Sequence, residues 1–232
     1  MIEVVKADRR HFSDVGWLQS YWLFSFSDYH DPANVSWGSL RVFNDDVVAP
    51  GTGFPMHPHR DMEIVTLVLR GEITHRDSLG NRALIGAGDV QRMSAGAGLT
   101  HSEHNLGAEP CHLYQIWIFP QRKGLTPSYD QRTFDPDDWR NRLHPVASGR
   151  GDAGAVILNA DAVIHRCDLE AGRVVTHEAA AGRRRFVYVQ EGRLLVDGRE
   201  LDANDQARIG VAGALDIEAR ERADFVLIEV PS

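Results

Sequence analysis

Two short stretches carry side chains whose types and spacing suit a metal ion. In FPMHPHRDME, residues 54–63, His57 and His59 stand two apart around Pro58, and Glu63 follows four residues later. In GAGLTHSEHN, residues 96–105, His101 and Glu103 are again two apart. Successive side chains alternate between the faces of a β-strand, so each pair would project from one side of its strand. Two strands of a small barrel would then aim His57, His59, His101 and Glu103 inward as four ligands. Imidazole with one carboxylate suits iron, copper, nickel or zinc and argues against calcium or magnesium, which prefer oxygen cages. Four protein ligands on an octahedral ion leave two positions open for oxygen or a bidentate substrate. On tetrahedral zinc they close the site, and the ion becomes structural. One HxH means little in a chain with 11 histidines, but two ligand pairs mean more. Glycine punctuation adds to them: Gly51 lies six residues before His57, and Gly98 three before His101. Glu63 shares the parity of the two histidines and competes with Glu103 for the carboxylate place.

The elements that must position these residues read as strands. SYWLFSFS, WGSLRVFN, EIVTLVL, HLYQIWIFP, RFVYVQ, RLLVDG and DFVLIEV are rich in Val, Ile and aromatic residues, as a pleated, half-buried surface prefers. Turn signals separate them: FNDD, RDSLGN, VDGRE and DAND. One segment, FDPDDWRNRL, predicts a short helix with Asp135 as its cap and Pro136 in its first turn. It lies in a Pro-, Asp-, Arg- and Gly-rich stretch between about Gln121 and Asp152, which reads as a connector. On either side, VTLVLRGEITHRDSLGNRALIGAGDVQRM and RFVYVQEGRLLVDGRELDANDQARI follow the same succession of strands and turns. That weak repeat predicts an all-β chain of two β-barrels or sandwiches of similar build, joined by a short helical connector. The expected division is 1–125, 126–150 and 151–232.

Composition narrows the function classes. The 232 residues are 43% hydrophobic, enough for a real core, and the formal net charge is -8. No global positive field attracts nucleic acid or an anionic membrane, and the RRR at 183–185 reads as a solvated strand edge. The two cysteines, Cys111 and Cys167, form no CxxC and no disulfide framework. The start, MIEVVKADRRHF, lacks the apolar centre of a signal peptide, and no run approaches the ~20 apolar residues of a membrane span. A cytoplasmic protein is expected. There is no GxSxG elbow, no phosphate loop and no complete GxGxxG leading from strand to helix. His75, Arg76 and Asp77, before the SLGN turn, read as a turn-stabilising network. His104 should face away from His101 on a regular strand. Phe54, Tyr114 and Trp117 are candidate pocket walls, though large aromatic residues in barrels more often belong to the core.

These stretches also resemble a known family. GTGFPMHPHRDMEIVTLVLRG looks like the first cupin motif, and GDVQRMSAGAGLTHSEHN resembles the second. More closely, HPHRDxE, HRDSLGN, SAGxGxxHSExN and the YQIWI strand resemble the pirin family, above all its bacterial members described as quercetin 2,3-dioxygenases. The likeness covers most of the first 120 residues and is looser beyond them. It implies a bicupin, two barrels face to face, with a metal in the N-terminal one on His57, His59, His101 and Glu103. It also implies that Glu103, not Glu63, is the carboxylate ligand. The cofactor would be one divalent transition metal: iron first, with copper, nickel, cobalt, manganese or zinc also admitted by the donors. In the second half, His177 stands without an HxH, and His165 lies twelve residues away. That barrel is expected to be degenerate and metal-free.

The implied reaction is ring opening of a small aromatic, flavonol-like substrate by O2 with release of carbon monoxide. In it Glu103 would act both as ligand and as the base that takes the substrate hydroxyl proton. The alternative is a non-enzymatic, redox-sensing metal protein acting through a protein partner. A third reading is a structural metal in an inert barrel.

Overall fold

Alternating apolar residues build both halves of the chain on one plan. The computed structural model describes residues 1–232. In the first half the strands are β1 (Ile2–Val5), β2 (His11–Asp14), β3 (Leu18–Trp22), β4 (Leu40–Val48), β5 (Gly53–His59) and β6 (Glu63–Arg70). They continue as β7 (Glu72–Asp77), β8 (Arg82–Gly86), β9 (Asp89–Ser94), β10 (Leu99–His104), β11 (Cys111–Ile118) and β12 (Ser128–Thr133). The second half holds β13 (His144–Ser148), β14 (Val156–Ile157), β15 (Val163–Leu169), β16 (Val174–Ala179) and β17 (Arg183–Glu191). It ends with β18 (Arg193–Val196), β19 (Arg199–Asp202), β20 (Gln206–Ile209), β21 (Gly213–Ala219) and β22 (Ala223–Pro231).

Each half faces a seven-stranded sheet with a four-stranded one. The large sheets run β12-β9-β6-β11-β4-β3-β2 and β1-β20-β17-β22-β15-β13-β14, and the small ones β5-β10-β7-β8 and β16-β21-β18-β19. The all-β architecture expected from the repeat, and the two barrels that the resemblance implies, are therefore present. Two strands cross the division expected from sequence. Ile2–Val5 pair with Gln206–Ile209 in the second barrel, and Ser128–Thr133, placed in the connector, pair with Asp89–Ser94 in the first. Each covers a sheet edge that would otherwise be left with unpaired backbone groups. The connector helix is also shorter than FDPDDWRNRL suggests. Only Pro136–Trp139 form a 3₁₀ turn, with Asp135 capping it through a capping box with Asp138. Asn141, at φ 55°, turns the chain away directly afterwards. Trp139 is buried beneath the Arg166 guanidinium, 4.3 Å from its ring centre.

Strand alternation divides the core. On β11, Tyr114, Ile116 and Ile118 face the other half and join a 24-residue apolar cluster between the two large sheets. There Phe43 lies 5.4 Å from Phe186, and Tyr114 lies 5.5 Å from Tyr188. Tyr114 is thus core, not pocket wall. The opposite side of the same strands fills the barrels. The second barrel holds a continuous cluster of 15 buried apolar residues. The first holds only separate clusters of six and four, around Val68 and Ile64, and buried Asn44, Asp46, Thr66 and Gln115 occupy the same barrel. A polar barrel interior costs stability unless its groups are bonded, so it marks where function has displaced packing. Both cysteines are buried, and burial pushes each thiol up to about 12, which leaves them unreactive. No helix is long and apolar enough to cross a membrane.

At the mouth of the second barrel, Glu229 accepts hydrogen bonds from Arg150 Nη2 at 2.6 Å and Arg183 Nε at 2.7 Å, and its Oε2 lies 3.2 Å from His177 Nε2. Burial alone would raise its pKa; the bonds from His177, Arg150 and Arg183 outweigh that and hold it well below the usual range. A depressed carboxylate contributes stability above its unfolded pKa of about 4.3 and loses it as pH falls toward the folded value. Replacing Glu229 by glutamine is expected to lower stability by about 3 kcal/mol at pH 7. Urea unfolding should show that difference shrinking steadily below about pH 4.

Candidate metal centre

Three strands of the small N-terminal sheet each aim an i, i+2 pair into the barrel. β5 carries His57 and His59, β10 carries His101 and Glu103, and β7 carries His75 and Asp77. In register, His101 stands opposite His57 on one side and Asp77 on the other, while Glu103 pairs with His75. The close approach of β5 to β10 needs Gly53. A Cβ there would lie 2.1 Å from the Glu103 carbonyl oxygen and 2.5 Å from His104 Cα. Gly51, at φ 71°, makes the turn that leads into β5.

Ligand-type atoms of His57, His59 and His101 lie within 4.8 Å of one another. His57 Nδ1 donates to the Pro55 carbonyl at 2.7 Å, which fixes the ring and leaves Nε2 free. His101 is 2% exposed, and its Nε2 is buried without any hydrogen-bond partner. An orphaned nitrogen beside two further imidazoles is the feature that a bound cation would resolve. Burial, with the neighbouring His57, lowers His59 to about 4. Burial, with His57, His59 and His75, lowers His101 to about 2. Both are therefore neutral near pH 7, the form that ligates.

His75 and Asp77 do more than stabilise a turn. Asp77 accepts from the backbone of Leu79 at 2.9 Å and of Asn81 at 3.0 Å, which is the turn network expected from sequence. Its Oδ2 also meets His75 Nε2 at 3.1 Å, and His75 Nδ1 meets His101 Nδ1 at 3.5 Å. The tautomers that satisfy this chain put a proton on His75 Nε2 and on His101 Nδ1. They leave His101 Nε2 with its lone pair toward His57 and His59, so Asp77 and His75 orient the ligand-type ring. The signal was in the sequence. HRD at 75–77 repeats the i, i+2 spacing of HPH and HSE.

Glu103 stands slightly apart from the expected four-ligand set. Its carboxylate groups with His75 and His101, not with His57 and His59. Gln115 Nε2 reaches across the barrel to both its oxygens, at 3.0 and 2.9 Å, and Thr66 Oγ1 donates at 3.4 Å. Burial raises its pKa to about 7 against the pull of those bonds. Glu63 faces elsewhere. Asp61, at φ 51°, breaks the strand between His59 and Glu63, so their shared parity does not survive. Glu63 instead accepts hydrogen bonds from Ser94 and from Asn159 N in the second half. His104 lies on the outer face with Thr74 and Arg76, as alternation requires.

The histidines and Glu103 open into a cavity of about 660 Å³. Phe54 and Trp117 form part of its wall, together with Leu18, Trp22 and Phe26. Trp117 packs edge-on to His59, with centroids 4.9 Å apart. The second barrel holds a smaller echo. His165 and His177, twelve residues apart in sequence, have ring centroids 5.3 Å apart. The carboxylate beside them is Glu229, already engaged by two guanidinium groups.

The chain is similar to known proteins over nearly its whole length. A family model described as Pirin matches residues 5–118, and one described as quercetinase C-terminal cupin domain matches 145–230. A pirin-like protein of Caulobacter vibrioides is 42% identical over 230 residues, with 99% of each chain covered. A quercetin 2,3-dioxygenase of Escherichia coli is 39% identical, over 100% of this chain and 99% of its own. The crystal structure of the bacterial pirin YhhW of Escherichia coli in complex with nickel(II) superposes with a TM-score of 0.94 at 39% identity. It covers 100% of this chain and 99% of its own.

Proposed function

The chain belongs to the pirin family, and from that premise we propose that it is a metal-dependent dioxygenase opening the heterocyclic ring of quercetin-like flavonols with O2 and releasing carbon monoxide. The observation that carries this reading is the unpartnered, buried His101 Nε2, which faces two further imidazoles at the wall of an aromatic-lined cavity. His57, His59 and His101 would hold one divalent ion, with Glu103 beside it. Iron is the first choice; nickel, copper, cobalt, manganese and zinc suit the same donors. Such an ion supplies Lewis acidity toward an oxygen of the substrate.

The protein's own groups do the rest. Phe54 and Trp117 receive a flat aromatic ligand and exclude water from it. The Glu103 carboxylate, made more basic by burial with its pKa raised to about 7, takes the proton of the substrate hydroxyl. Gln115 and Thr66 keep that carboxylate in place. The metal-holding unit is 1–125, the connector 126–150 and the second unit 151–232, apart from the exchanged strands Ile2–Val5 and Ser128–Thr133; the second barrel works without a metal, since Arg150 and Arg183 already neutralise Glu229. The test is metal analysis of anaerobically purified protein, followed by quercetin absorbance under O2. About one ion per chain with quercetin loss is expected. A loaded site with no turnover under iron, copper, nickel or cobalt would sink the oxygenase reading in favour of a metal-sensing protein with a protein partner.

A further inference from the structure

The cavity has two unlike walls. His57, His59, His101 and Glu103 come from the small sheet; Asn44, Asp46 and Ser20 come from β4 and β3 of the large sheet opposite. Asn44 and Asp46 are two apart on β4 and point into the barrel, where both line the cavity. They are 4% and 2% exposed. Asn44 Oδ1 has no hydrogen-bond partner. Asp46 Oδ1 accepts from Ser20 Oγ, while Oδ2 accepts from no protein group. A buried acceptor without a donor is costly, and Asn44 Oδ1, beside an Asp46 oxygen that no protein group bonds, points to a ligand that supplies donors. No lysine or arginine lines the cavity, whose carboxyl groups are Asp28, Asp46 and Glu103. Away from the histidine wall, a carboxylate or phosphate ester would find no cationic side chain to pair with and would face Asp46 instead.

We propose that Asp46, braced by Ser20 and flanked by Asn44, is a specificity-determining anchor that accepts hydrogen bonds from the hydroxyl groups of an uncharged, polyhydroxylated aromatic ligand on the wall facing the histidines. The anchor rests on the flavonol reading and deepens it: the histidine side engages the reacting hydroxyl, and Asp46 reads additional ones. A site built to bond a hydroxyl discriminates against analogues that lack it, because its acceptors are then left buried and unpaired.

The test compares quercetin with 3-hydroxyflavone, which keeps the reacting hydroxyl and lacks the others. Binding to the metal-loaded protein is followed by fluorescence under nitrogen, and turnover is followed separately in air. The wild type should bind quercetin about tenfold more tightly. In Asp46→Asn, which keeps the shape and replaces an acceptor by a donor, the preference should fall to about twofold with metal content unchanged. Asn44→Leu provides the same comparison if Asp46→Asn does not fold. Equal affinities in the wild type, or a preference that persists in the variants, would overturn the anchor while turnover of either flavonol upheld the oxygenase. A preference lost in the variants without any turnover would support the anchor and reject the oxygenase. Binding of neither compound would overturn both.

Discussion

His101→Ala is expected to abolish the response of this protein to divalent metal. At free metal a hundredfold above the dissociation constant, binding stabilises the folded state by about 2.7 kcal/mol. For a chain of this size that raises Tm by roughly 5–10 °C. Nickel or anaerobic iron should produce such a shift in the wild type and none in the variant, and metal per chain should fall from near one to near zero. The measured quantity is the metal-induced shift, not Tm itself. Removing a buried ring also leaves a void and strips His75 Nδ1 of its neighbour, which lowers the stability of the metal-free protein. An unchanged shift in His101→Ala would remove this residue from the ligand set. Loss in His101→Ala with retention in His75→Gln would separate holding the ion from orienting the ring.

The second large effect is on turnover. Glu103→Gln preserves the shape of the side chain but removes the base, and quercetin turnover should fall by about 10²–10⁴-fold. Metal content should persist, because the three imidazoles form a group within 4.8 Å without Glu103. Quercetin affinity measured under nitrogen should change little by comparison. Survival of turnover would exclude Glu103 as the proton acceptor. Loss of metal together with turnover would show that the carboxylate is needed to hold the ion.

Much of this centre was legible in the chain itself. The i, i+2 pairs at His57/His59 and His101/Glu103 need only strand alternation to share a face, and alternation is a local property. The repeat of strands and turns likewise predicts two similar β units, because each half must bury its own apolar face. What strand pairing decided is less local. His75 and His101 are 26 residues apart, and only the β7–β10 register brings their nitrogens to 3.5 Å. Glu63 keeps the parity of His59 on paper, but a left-handed Asp61 turns it toward Asn159 of the other half. Ile2–Val5 close the sheet of the distant barrel, because an edge strand can be supplied from anywhere the chain reaches. Asn44 and Asp46 lie in an ordinary strand sequence; their meaning comes from the opposite wall. Residue order alone points to the candidate donors and to the strand faces that carry them. Which faces meet is a property of the folded chain, since pairing between distant strands depends on register, turns and burial that no local spacing records.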